Sequence, residues 1–205
     1  LGTATLYTNS TGQSNTSVGS NALFSNTTAS NNTAVGYQAA YSNTTGATNS
    51  AFGRLAFYSN TTGSENTAIG EGSLFDNTTG NYNVAVGKES LVNNTTASNN
   101  TAVGYQAGFS NTTGTNNAAF GRTSMRSNTT GTANTAIGRA AMYANTSGGQ
   151  NTAIGYNALD ANTSPSGNTA VGAHSLTTNT TGASNTAIGA QALNSNTTAS
   201  NNTAV

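Results

Sequence analysis

The chain has no cysteine and no tryptophan, one proline, and only five basic and five acidic side chains among 205 residues. Each scarcity excludes something. Without cysteine there are no disulfides and no thiolate metal sites. A formal net charge of zero lacks the dense positive field that holds nucleic acid or anionic lipid. No apolar run approaches the length of a membrane span, and no amino-terminal signal segment is visible. The one histidine, His174, stands beside Ser175 with no paired carboxylate for acid–base work, so the sequence reads as non-enzymatic and without a cofactor. Asp76 and Asp160 are the only aspartates, which leaves no aspartate-bearing calcium repeat.

What the chain does have is a clock. The phrase Asn66-Thr67-Ala68-Ile69-Gly70, or a near copy, closes on Gly2, Gly19, Gly36, Gly53, Gly70, Gly87, Gly104, Gly121, Gly138, Gly155, Gly172 and Gly189, and every step is 17 residues. A period of this length, held through twelve copies without an insertion, predicts a solenoid in which each copy is one coil stacked on the last. The expected architecture is all-β: a parallel β-solenoid, or β-roll, of twelve 17-residue repeats spanning residues 1–205 as one segment. Helix is excluded, because Asn, Gly, Thr and Ser are poor helix formers and the apolar spacing never settles to 3.6 residues. At a strand spacing of ~4.8 Å, twelve such coils would extend over roughly 58 Å.

With the glycine as position one, position eight is asparagine in every copy: Asn9, Asn26, Asn43, Asn60, Asn77, Asn94, Asn111, Asn128, Asn145, Asn162, Asn179 and Asn196. Position fourteen is asparagine likewise, as at Asn32, Asn66, Asn100 and Asn151. Stacked coils turn these into two columns, in which each amide can donate to one neighbour and accept from the other. Tolerance of left-handed backbone also suits asparagine to the corners.

Position seventeen is apolar in every copy and mostly β-branched, which is strand chemistry. Position sixteen is Ala except at Ser17, so alternation puts Val, Ile or Phe on one face and Ala on the other. The larger residues are expected to fill the coil's interior, and the Ala and Gly columns to let another backbone approach closely. Positions four and five, as in Ala22-Leu23 and Ser73-Leu74, suggest a second short strand. Asn-Thr-Thr-Gly reads as a corner. The charges fall at positions two (Arg54, Glu71, Lys88, Arg122, Arg139), three (Glu89), six (Arg126, Asp160), seven (Asp76) and thirteen (Glu65). Positions that never take a charge are therefore expected to be core, ladder or interface.

One coil supplies only about two large apolar side chains. Ordering costs roughly 1.5 kcal/mol per residue, against about 1.5–3 kcal/mol for each buried Leu, Val or Ile, so a lone narrow coil leans on ladder hydrogen bonds or on burying an outer face against another chain.

The phrase Asn151-Thr152-Ala153-Ile154-Gly155-Tyr156-Asn157-Ala158 resembles the repeats of trimeric autotransporter adhesin heads. The stretch from Asn100 through Gly114 is similar to repeats of phage tail-fibre proteins and related surface fibres. The resemblance covers the whole chain, with longer polar corners than the adhesin heads have. It implies a left-handed parallel β-roll in a homotrimer, acting as stalk or head of a virus tail fibre or bacterial adhesin. The expected place is extracellular, at a cell surface or on a virion. The expected partners are further copies of the chain, as a homotrimer or a self-stacking filament, and cell-surface glycans. The chain opens on Leu1-Gly2 and stops one residue short of the next glycine, which reads as a segment excised from a longer fibre.

Three surface readings follow from the columns. Position six carries aromatics at Tyr7, Phe24, Tyr41, Tyr58 and Phe75 and again at Phe109 and Tyr143, which either stack on sugar rings or pack ring on ring. Each position-eight Asn begins an Asn-x-Ser/Thr triplet, making Asn43, Asn60 and Asn111 candidate glycosylation acceptors. Threonine columns at nine, ten and fifteen raise ice binding, although the column at fifteen is broken by Ser50, Val84 and Ala118.

Overall fold

A computed structural model describes residues 2–205. Their contacts gather into two units, residues 2–100 and 101–205, each a stack of the same coil. The first holds β1 (Thr16–Val18), β2 (Thr33–Val35), β3 (Ser50–Phe52), β4 (Thr67–Ile69) and β5 (Val84–Val86). The second holds β6 (Thr101–Val103), β7 (Ala118–Phe120), β8 (Thr135–Ile137), β9 (Thr152–Ile154), β10 (Thr169–Val171), β11 (Thr186–Ile188) and β12 (Thr203–Ala204). Within each unit successive strands pair in parallel, and every residue lies beside the one 17 positions on: Thr16 beside Thr33, Ala68 beside Ala85, Ala136 beside Ala153. The fold is thus the all-β parallel solenoid that the period predicts, and no helix occurs among the described residues.

Each coil has one strand, not two. Positions four and five lie in a turn, with Ala22 N–H donating to the Gly19 carbonyl at 3.3 Å and Asn26 N–H to the Leu23 carbonyl at 3.2 Å. The expected second strand fails because positions three and five are left-handed, as at Asn21 (φ 57°) and Leu23 (φ 50°), and a left-handed residue cannot continue an extended run. Position thirteen is left-handed too, as at Asn31 (φ 61°). The two asparagine columns are not, so their role is hydrogen bonding and not corner geometry.

A left-handed non-glycine residue costs roughly 1–2 kcal/mol. Leu23, Leu74, Leu159 and Leu176 at position five are fully buried, and burying such a side chain returns about 1.5–3 kcal/mol, so burial wins there. No such return exists at exposed Thr48, a β-branched residue at φ 60° in position thirteen with asparagine at the equivalent Asn31 and Asn99. Thr48→Asn is expected to raise stability by about 1 kcal/mol in urea unfolding. A loss of stability would show that the left-handed strain is not felt at this position.

The strand faces are the reverse of the expected ones. Ala34, Ala51, Ala68 and Ala85 in the first unit, and Ala136, Ala153, Ala170 and Ala187 in the second, are fully buried. Phe52, Ile69, Phe120, Ile137, Ile154 and Ile188 at position seventeen point outward and are 37–43 % exposed. Parity is the reason. Position fourteen must face inward for its amide to reach the ladder, and a period of two then puts sixteen inside and seventeen outside.

Candidate functional site

The interior of each coil is organised by one carbonyl. At position eleven, the Gly46 oxygen accepts from Asn43 Nδ2 at 2.9 Å in its own coil and from Asn32 Nδ2 at 2.9 Å in the preceding one. The Pro165 oxygen does the same for Asn162 (3.2 Å) and Asn151 (3.0 Å). Proline is tolerated at this position because the ladder uses its carbonyl, and the N–H it lacks makes only long bonds elsewhere, as from Gly46 to the Thr61 carbonyl at 3.4 Å.

From there the two columns run through the stack. In the first unit Asn26, Asn43, Asn60, Asn77 and Asn94 each donate from Nδ2 to Oδ1 of the asparagine one coil back, at 2.7–3.1 Å. In the second unit Asn128, Asn145, Asn162, Asn179 and Asn196 continue the pattern from Asn111, at 2.8–3.3 Å. At position fourteen the side-chain oxygen instead accepts a backbone N–H: Asn66 N–H donates to Asn49 Oδ1 at 2.9 Å, Asn100 N–H to Asn83 Oδ1 at 3.0 Å, and Asn151 N–H to Asn134 Oδ1 at 3.0 Å. Among the described residues no buried side-chain nitrogen or oxygen lacks a partner. The asparagine ladder is therefore the polar core of the protein, and a satisfied one.

This geometry bears on the glycosylation triplets. Asn43, Asn60 and Asn111 are buried, and their Nδ2 protons are held: by Asn26 and Gly46, by Asn43 and Gly63, and by Gly114 respectively. A sugar on any of these nitrogens would displace a ladder proton and open the coil, so the folded chain presents no acceptor there.

The position-six aromatics form a continuous stack in the first unit. Tyr7, Phe24, Tyr41, Tyr58 and Phe75 follow one another at 5.1–5.2 Å between ring centres, with planes within 5–9° of parallel. Their faces lie against each other and their edges meet solvent, whereas a sugar stacks on a ring face. In the second unit Arg126 completes a shorter stack that the aromatic pattern alone does not reveal. Its guanidinium lies 5.0 Å over Phe109 and 5.9 Å over Tyr143, a flat cation in the place of a ring.

Position two forms a second exposed column. Glu71 bridges Arg54 at 3.2 Å and Lys88 at 3.3 Å, and Lys88 first, then Arg54, holds its carboxyl below the ordinary value. Being exposed, these pairs add little stability. Further on, Arg122 lies 5.9 Å over Tyr105 and Arg139 lies 5.4 Å over Tyr156. His174 meets Tyr156 edge-on at 5.0 Å. Burial pushes the carboxyls of Asp76 and Asp160 up, with His174 opposing the rise at Asp160.

Among the described residues no group of three or more His, Cys, Asp or Glu side chains could hold a metal ion. The surface the sequence did not foresee is the outward stripe at position seventeen. Its signal was present in the parity between the invariant Asn at fourteen and the Ala at sixteen. Comparison of the chain with protein families, with curated proteins and with solved structures finds no match.

Proposed function

We propose that this chain is a non-enzymatic structural fibre segment, the stalk or head of a virus tail fibre or bacterial surface adhesin, working outside the cell as a homotrimer. One observation carries the reading. In each unit every coil is joined to the next by the same set of bonds, backbone to backbone and asparagine to asparagine, so adding a coil adds length without changing the cross-section. That is what a spacer requires. Charged side chains occur only at positions two, three, six, seven and thirteen, outside the asparagine columns, where they do not disturb the ladder. The resemblance of Asn100 through Gly114 to tail-fibre repeats points the same way.

Glycan binding by Tyr7, Phe24, Tyr41, Tyr58 and Phe75 has less support, because both ring faces of Phe24, Tyr41 and Tyr58 are taken by neighbouring rings and only the ends of the stack, Tyr7 and Phe75, have a face without one. A second reading, ice binding, draws on the outer side of the second unit, where Thr135, Thr152, Thr169, Thr186 and Thr203 repeat without a break beside Ile or Val.

The deciding measurement is the native mass in dilute solution by light scattering behind a sizing column. Three times 20.3 kDa is expected. A folded monomer would overturn the trimer, and thermal hysteresis from that monomer would establish the ice-binding reading in its place.

A further inference from the structure

We propose that the Val/Ile/Phe stripe at position seventeen is the surface through which copies of this chain join, lying parallel with each coil level with the same coil of its neighbour. This rests on the homotrimer reading and replaces the alanine column, which the fold buries, and the position-one glycine column, whose close approach is to the next coil of the same chain.

Position seventeen is apolar in every copy and yet faces out. Positions two, three, six, seven and thirteen, some of them less exposed, all admit charges. Position ten is exposed and uncharged too, but it stays polar, Thr or Ser in every copy; a stripe that is exposed and yet apolar in every copy is what facing another chain requires. In the second unit Phe120, Ile137, Ile154 and Ile188, with Val103 and Val171 among them, lie on neighbouring strands of one sheet. Together they make a contiguous apolar surface of roughly a few hundred Å2, the size of the largest patch on a typical monomer, which is often functional.

The borders of the stripe fit the same role. Threonine at position fifteen runs along one side, and the Tyr, Arg, Glu and Lys side chains of position two run along the other. An apolar centre with a rim rich in Tyr and Arg is the composition of a protein interface.

The occupant is a second copy because, beside the coil spacing of ~4.8 Å that parallel solenoids share, it has the same order of large and small side chains along the stripe, with Phe52 and Phe120 among Val and Ile. Each outward side chain then meets one of its own kind at every level, whereas a partner of another period would meet the stripe in phase at only some coils. Closed cyclic symmetry about an axis along the stack allows no axial shift between chains. Phe52 therefore meets Phe52 and Phe120 meets Phe120, so the larger rings share levels and are not forced against the smaller Ile69 or Ile137.

The chain has no native cysteine, so single cysteines report contacts without background. Full-length Ile137→Cys is treated with a short bis-maleimide beside Thr130→Cys, an exposed position-ten control in the same unit, with circular dichroism to confirm folding and light scattering to give the mass. Ile137→Cys is expected to link chains at least ten-fold more than Thr130→Cys. In a mixture of Ile137→Cys and Ile188→Cys chains, matched positions are expected to link and unmatched ones to stay at background.

An oligomer that links through Thr130→Cys and not Ile137→Cys would overturn the surface while leaving the trimer standing. Equal linking of matched and unmatched positions would overturn the level packing. A dimer linked through Ile137→Cys would overturn the trimer and keep the surface. A folded monomer with no links would overturn both.

Discussion

Gly70→Ala is expected to be among the most damaging single changes in the chain, costing about 3–5 kcal/mol in urea unfolding. Gly70 sits at φ +128°, outside the range of a residue with a side chain, and a Cβ there would lie 2.6 Å from the carbonyl carbon and oxygen of Gly87 in the next coil. The backbones at position one approach too closely for any substituent, and the N–H that follows the strand is committed too, with Gly70 donating to the Phe52 carbonyl at 2.8 Å. Moving the coil away would break that bond. Gly63→Ala is the informative control. Gly63, at position eleven, is crowded as well, since a Cβ would lie 2.4 Å from the Gly80 oxygen, but its φ is not positive. Alanine already occupies the equivalent Ala29, Ala97 and Ala199, so the coil can give at this place. Its loss is expected to stay within about 1 kcal/mol. Equal losses for the two would mean that crowding, and not backbone conformation, selects glycine at position one.

The second large effect is expected from Asn43. Its amide donates to Asn26 Oδ1 and to the Gly46 carbonyl, and its oxygen accepts from Asn60 Nδ2. Asn43→Ala removes all three bonds and leaves a void in a buried column, at a cost of about 3–5 kcal/mol. The Gly46 oxygen keeps its bond from Asn32 and Asn60 keeps its bond to Gly63, so the Asn26 oxygen is the atom left with least. Asn43→Asp separates hydrogen bonding from shape. A carboxylate of the same outline would keep one oxygen on Asn60 Nδ2 and aim the other at two acceptors, the Asn26 side-chain oxygen and the Gly46 carbonyl, and a buried charge facing acceptors has its folded-state pKa raised. Sign follows from linkage: a raised pKa means the folded chain binds the extra proton first, so this variant should gain stability as pH falls through the raised value towards the ordinary carboxylate range. Asn43→Ala should show no such gain. Identical pH profiles for the two variants would overturn the ladder as the source of the loss.

The 17-residue period, read with no other information, determined most of the architecture. It sets the register, because any two coils in phase bring Thr16 beside Thr33 and Asn26 beside Asn43, and the unbroken spacing leaves no other pairing. It also determined the ladder, since an amide repeated at every coil finds its own kind above and below, and the stacking of Tyr41 between Phe24 and Tyr58 for the same reason. What a period cannot carry is the path of one coil around its own interior. Whether Leu23 ends a strand or turns left-handed depends on what it is buried against, and burial against the rest of the coil is what offsets its strain. The direction of Ile69 depends in the same way on a distant partner. Inward-facing Asn66 reaches the Gly80 carbonyl 14 residues on, at 2.9 Å, and that single tertiary bond sets the parity that buries Ala68 and turns Ile69 outward. Sequence repetition fixes which residues share a column; only closure of the coil, by satisfying the asparagines first, decides which columns face the interior and which face the outside.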